Sequence, residues 1–120
     1  MDKLLALIVE DDQDLSTIFA ASLKAAGYQT QIISDGDVAV QYLQDTIPDV
    51  VVLDLHLPGV SGTEILQEIR ADERLEKTKV IVSTADPTLG DPLRDLADLV
   101  LIKPISFAQL RDLAMRLKQM

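Results

Sequence analysis

Short runs of Val, Ile and Leu recur along this chain, separated by longer stretches whose apolar residues fall at helical spacing. The runs are Leu4–Val9, Val50–Leu53, Val80–Val82 and Leu99–Ile102. Runs without polar alternation predict strands covered on both faces, as in a parallel sheet. Tyr28–Ile33 (YQTQII) is more polar and is predicted to lie nearer a sheet edge. Between the runs, Asp14–Ala26, Asp35–Gln44, Thr63–Arg70 and Phe107–Leu117 carry apolar residues on one helical face. Gly27 is placed to close the first of these helices and Ser106 to cap the last. Pro87, Gly90 and Pro92 interrupt Asp86–Asp98, which predicts an irregular loop and a short helix from Pro92 to about Ala97.

The order is strand then helix, five times over. Right-handed crossovers turn that order into an α/β fold, a doubly wound, three-layer sandwich of the flavodoxin-like kind. A five-stranded parallel sheet in the order 2-1-3-4-5 is expected, with a shortened or irregular fourth helix, in a single domain over residues 1–120. Such sheets bind ligands beyond the carboxyl ends of their strands. The residues that follow each run are therefore the candidates for chemistry. They are Glu10-Asp11-Asp12, Asp54, Ser83-Thr84 and Lys103-Pro104.

Composition narrows the chemistry. Apolar residues make up 48% of the 120, enough for a core. The net charge of −9 argues against binding a nucleic-acid backbone, which needs a basic face, so direct nucleic-acid binding is not expected. Without cysteine, and with His56 as the single histidine, thiol catalysis and multi-histidine metal sites fall away. No run is long enough to span a bilayer and none has the pattern of a signal peptide, so no membrane partner and a cytoplasmic location are expected.

Carboxylates crowded at one sheet edge repel one another unless a cation sits among them. Oxygen-only donors suit Mg²⁺ or Mn²⁺. A lysine and a hydroxyl facing that ion complete a site for a phosphoryl group, and Asp54 at the centre is the natural nucleophile. Each residue also has a plainer reading. Asp12 reads first as a helix cap, Thr84 alone as a turn residue, and Lys103 alone as a solvated cation. Those readings would all have to hold at once at the same edge.

These residues resemble the receiver domain of two-component response regulators over essentially the whole chain. The resemblance rests on LIVEDD (Leu7–Asp12), VVLDLHLPGVSG (Val51–Gly62), VIVSTA (Val80–Ala85) and IKP (Ile102–Pro104). It implies that Asp54 is the phosphoacceptor, and that Glu10, Asp11 and Asp54, with the backbone carbonyl of His56, hold Mg²⁺. Thr84 and Lys103 would each meet a phosphoryl oxygen, and Lys103–Pro104 would be a cis bond. Pro58, Gly59 and Gly62 would shape the loop after the third strand. The donor would be a histidine kinase or a histidine phosphotransfer protein. The chain would be a phosphoacceptor that catalyses its own phosphorylation and dephosphorylation, not an enzyme acting on other substrates. Its target would be a downstream protein or a fused output domain.

The family pattern is not followed throughout. Val100 stands where an aromatic is usual, and the interval from Thr84 to Lys103 is short. An atypical output face is expected from these departures, and a phosphorylation-independent pseudo-receiver acting as a binding module stays open. A phosphatase of the haloacid dehalogenase type would need an acid where His56 stands. A nucleotide-binding fold would need a glycine-rich loop after the first strand, where Glu10-Asp11-Asp12 stands instead.

Overall fold

A computed structural model describes residues 3–119. Five strands, β1 (Leu4–Val9), β2 (Tyr28–Ile33), β3 (Val50–Asp54), β4 (Lys79–Thr84) and β5 (Leu99–Ile102), form one parallel sheet in the order β2-β1-β3-β4-β5. The helices are α1 (Gln13–Ala25), α2 (Gly36–Asp45), α3 (Gly62–Ala71), α4 (Pro87–Gly90) and α5 (Phe107–Leu117). Period-2 alternation along the strands splits the core in two. Leu7, Val9, Val51, Leu53, Val80 and Val82 face α2, α3 and the α4 segment. Ala6, Ile8, Val50, Val52 and Ile81 face α1 and α5, where they pack on Phe19, Leu23, Leu110 and Ala114. Among the described residues no helix is long and apolar enough to cross a membrane.

Helix ends follow local chemistry. Asp12, Asp35, Ser61 and Ser106 cap α1, α2, α3 and α5 by accepting backbone N–H groups of their first turns. Gly27, at φ +99°, turns the chain out of α1 as expected. The polar run YQTQII becomes β2, an edge strand, as its composition predicts.

Three expectations need correction. β5 does not lie buried on both faces: it is the other edge strand, half-buried along Leu99–Leu101 and exposed at Ile102. β3 and β4 run on through Asp54, Ser83 and Thr84, so these residues lie inside the strands rather than after them. The fourth helix is short, as expected, but it spans Pro87–Gly90 instead of starting at Pro92. Proline in a first helical turn gives up an N–H that would have had no partner there, and Asp86 supplies the cap. Pro92 falls in a 3₁₀ turn over Asp91–Leu93.

α4 reaches the sheet through a close approach at Gly90. A Cβ on Gly90 would stand 2.7 Å from Val100 Cγ1 and 3.2 Å from Thr84 Cγ2. Val100 on β5 and the methyl of Thr84 thus fill the space that a side chain on α4 would need.

Candidate functional site at the carboxyl edge of the sheet

The alternation that places Ile8 and Val52 on the α1/α5 face carries on to Glu10 and Asp54. Glu10 is 2% exposed and Asp54 3%, while Asp11 is exposed. Carboxylate oxygens of Glu10, Asp11 and Asp54 lie within 4.8 Å of one another. The loop after β5 brings in Lys103. Its Nζ donates to Glu10 Oε1 at 3.0 Å and lies 3.5 Å from Asp54 Oδ1. A cis bond joins Lys103 to Pro104, and the Lys103 N–H donates to the Thr84 carbonyl at 2.8 Å.

Burial sets the electrostatics of this cluster. It pushes the Glu10 carboxyl above its ordinary value, against the hydrogen bonds from Lys103 and the Asp12 N–H, with the Asp54 charge adding to the rise. Burial works against the charge on Lys103, yet Glu10 and Asp54 outweigh it and hold the ammonium above its ordinary value. A half-buried cation thus faces a group of acids it cannot neutralise alone. Such a group, all oxygen donors, fits a hard divalent cation.

The loop after β3 closes the site. The His56 N–H donates to Asp54 Oδ1 at 3.3 Å, and the His56 side chain is exposed. A Cβ on Gly62 would collide with the Asp54 carbonyl oxygen, so only glycine lets α3 start this close to the site. The Pro58 carbonyl accepts the Gly36 N–H at 3.0 Å, tying the loop to the start of α2. Across the cleft Asp86 is held below the usual carboxylate range by the Thr88 hydroxyl, which donates to it at 2.6 Å.

Glu10, Asp11, Asp54 and Lys103 are therefore brought together. Thr84 is not. Its hydroxyl accepts the Asp86 N–H at 3.1 Å, and its methyl packs toward Gly90. Asp12 caps α1, accepting the Leu15 N–H at 3.0 Å, in keeping with its plainer reading. Reading residues only as the followers of strands named Ser83 beside Thr84 but gave it no role. Period-2 counting from Ile81 places it on the same face as Asp54.

An acid cluster with a lysine, at the carboxyl edge of a 2-1-3-4-5 parallel sheet, marks a doubly wound α/β domain with its polar site at the strand ends. The chain belongs to the response regulator receiver domain family, whose model matches residues 6–115. The phosphate regulon transcriptional regulatory protein PhoB of Rhizobium meliloti is 36% identical over 106 residues, covering 86% of this chain and 47% of the relative. The DNA-binding response regulator MtrA of Mycolicibacterium paratuberculosis is 34% identical over 100 residues, covering 82% and 44%. This chain thus spans less than half the length of either relative. Among solved structures, the receiver domain of the sensor histidine kinase PA1611 from Pseudomonas aeruginosa superposes with a TM-score of 0.87 at 29% identity, over 99% of this chain and 100% of that one. That structure carries a magnesium ion coordinated in its active-site cleft.

Proposed function

We propose that the chain accepts a phosphoryl group on Asp54 from a phosphohistidine of a histidine kinase or histidine phosphotransfer protein. The observation that carries this reading is the setting of Asp54: 3% exposed, in reach of Glu10 and Asp11, with Lys103 Nζ 3.5 Å away. Asp54 Oδ forms the bond to phosphorus as the P–N bond to the donor imidazole breaks, its electron pair going to that nitrogen. Glu10, Asp11, Asp54 and the His56 carbonyl would hold Mg²⁺, which when bound draws off charge from the phosphoryl oxygens. Lys103 is poised to pair with one of those oxygens.

Thr84 has a second task. Its hydroxyl exchanges the Asp86 backbone for a phosphoryl oxygen, and the segment from Ala85 to α4 follows. The methyl of Thr84, Gly90 and Val100 are packed together, so the movement is passed to α4 and β5 without a swinging aromatic. The surface so changed addresses a downstream protein or a fused output domain. With a net charge of −9, direct nucleic-acid contact by this domain is disfavoured. The acyl phosphate is later hydrolysed in the same site, so the domain is a self-resetting phosphoacceptor rather than an enzyme for other substrates.

The test is intact mass after incubation with acetyl phosphate, with Mg²⁺ or with EDTA. A gain of about 80 Da is expected with Mg²⁺ alone and is expected to vanish in Asp54→Asn. An adduct that survives in Asp54→Asn would remove Asp54 from the role. No adduct on the wild type, either with acetyl phosphate or with a phosphorylated histidine phosphotransfer protein, would put the binding-module reading in its place.

A further inference from the structure

Ser83 stands beside Asp54 and has no assigned task. The register pairs Asp54 of β3 with Ser83 of β4, and the alternation of both strands turns the two side chains to the α1/α5 face. They are lateral neighbours, about 4.8 Å apart at the backbone. Ser83 is fully buried, and among the described residues its Oγ has no hydrogen-bond partner. The preceding residues of β3 and β4 on this face, Val50, Val52 and Ile81, are apolar. An unpaired hydroxyl in that row is a cost to folding that alanine or valine would avoid. The register partner of Ser83 on β3 is Asp54, whose carboxylate is an acceptor.

We propose that Ser83 is a positioning residue for Asp54, whose Oγ–H turns to the Asp54 carboxylate and stabilises it as it leaves phosphorus. The inference rests on Asp54 being the phosphoacceptor. In the hydrolytic step a water oxygen bonds to phosphorus and the bond from phosphorus to Asp54 Oδ breaks. The electron pair of that bond returns to the carboxylate, and both water protons leave on the phosphate. Negative charge grows on Asp54 as this happens, so a donor beside it favours the transition state over the acyl phosphate.

The test follows the decay of the adduct by intact mass in wild type, Ser83→Ala and Ser83→Thr, after the donor is removed. Urea unfolding of the unphosphorylated proteins runs alongside. Ser83→Ala is expected to keep its adduct about three- to ten-fold longer and to unfold at the same or higher urea. Ser83→Thr, which keeps the hydroxyl, is expected to decay within about two-fold of wild type. An adduct that decays equally in wild type and Ser83→Ala would overturn the inference, and a loss of stability with unchanged decay would mark the hydroxyl as structural. Failure of the wild type to form any adduct, with acetyl phosphate and with a phosphorylated histidine phosphotransfer protein, would instead overturn the proposed function, and the inference with it.

Discussion

The two edges of one sheet use their polar groups in opposite ways. At the amino edge they are matched. Asp49 accepts the Leu5 N–H at 2.7 Å, and the Thr78 hydroxyl donates to the Pro48 carbonyl at 2.7 Å. Asp98 accepts the Val80 N–H at 2.7 Å and pairs with Arg70 at 2.9 Å. Arg70 also donates to the Leu96 carbonyl at 2.6 Å and the Thr78 carbonyl at 3.0 Å, fastening α3 to the entrances of β4 and β5. At the carboxyl edge Glu10 and Asp54 share Lys103, Asp11 adds a further carboxylate, and a buried hydroxyl has no partner among the described residues. Matched groups hold the fold, and unmatched ones wait for a ligand. The amino edge supplies stability that the carboxyl edge uses up.

That contrast can be broken from either edge. The largest effect on stability is expected from Arg70→Ala, which strips the donors from two carbonyls and Asp98. A loss of about 2–3 kcal/mol is expected, measured by urea unfolding at unchanged m-value. Adduct formation on Asp54 should be unaffected at a urea-free, fully folded temperature. A fall in adduct yield would show that the two edges are coupled.

Next is Gly90→Ala, which puts a methyl where Val100 and Thr84 already stand. Overpacking here should cost about 1–2 kcal/mol, and adding Val100→Ala should recover part of it in a double-mutant cycle. Simple additivity would mean that α4 moves aside without engaging β5.

The smallest effect is expected at Tyr28, whose hydroxyl donates to the Ala114 carbonyl at 3.1 Å and joins β2 to α5. Tyr28→Phe should cost about 1 kcal/mol. Burial, with the Asp49 charge adding to it, pushes this phenol up to about 12. Its folded value lies above the unfolded one, so its contribution is fully present below about pH 10 and is lost as pH rises toward about 12. Denaturation profiles across that window should be shallower for Tyr28→Phe than for the wild type, and parallel profiles would take Tyr28 out of the alkaline transition.

Much of this was legible in the chain. Uninterrupted apolar runs mark β1, β3 and β4 because strands covered on both faces leave no room for polar alternation. Residues at the ends of those runs land at one edge of a parallel sheet, which is why Glu10, Asp11, Asp54 and Lys103 could be named together. α4 was misplaced because Pro87 reads as a breaker, whereas a proline in a first turn is tolerated once a cap such as Asp86 precedes it. β5 read as fully covered because a run of four apolar residues looks the same at an edge as in the middle of a sheet.

The sequence by itself determined the element order, the helix caps and the set of residues at the carboxyl edge, because each depends on neighbours a few positions away. Only the tertiary structure decided how those residues divide their partners. Lys103 sits closer to Glu10, 93 positions distant in the chain, than to Asp54. The Thr84 hydroxyl engages the Asp86 backbone, and Ser83 is left beside Asp54 with a hydroxyl that has no partner among the described residues. These outcomes depend on distances of a few tenths of an ångström between strands that the chain joins only through whole helices, and no local pattern encodes them.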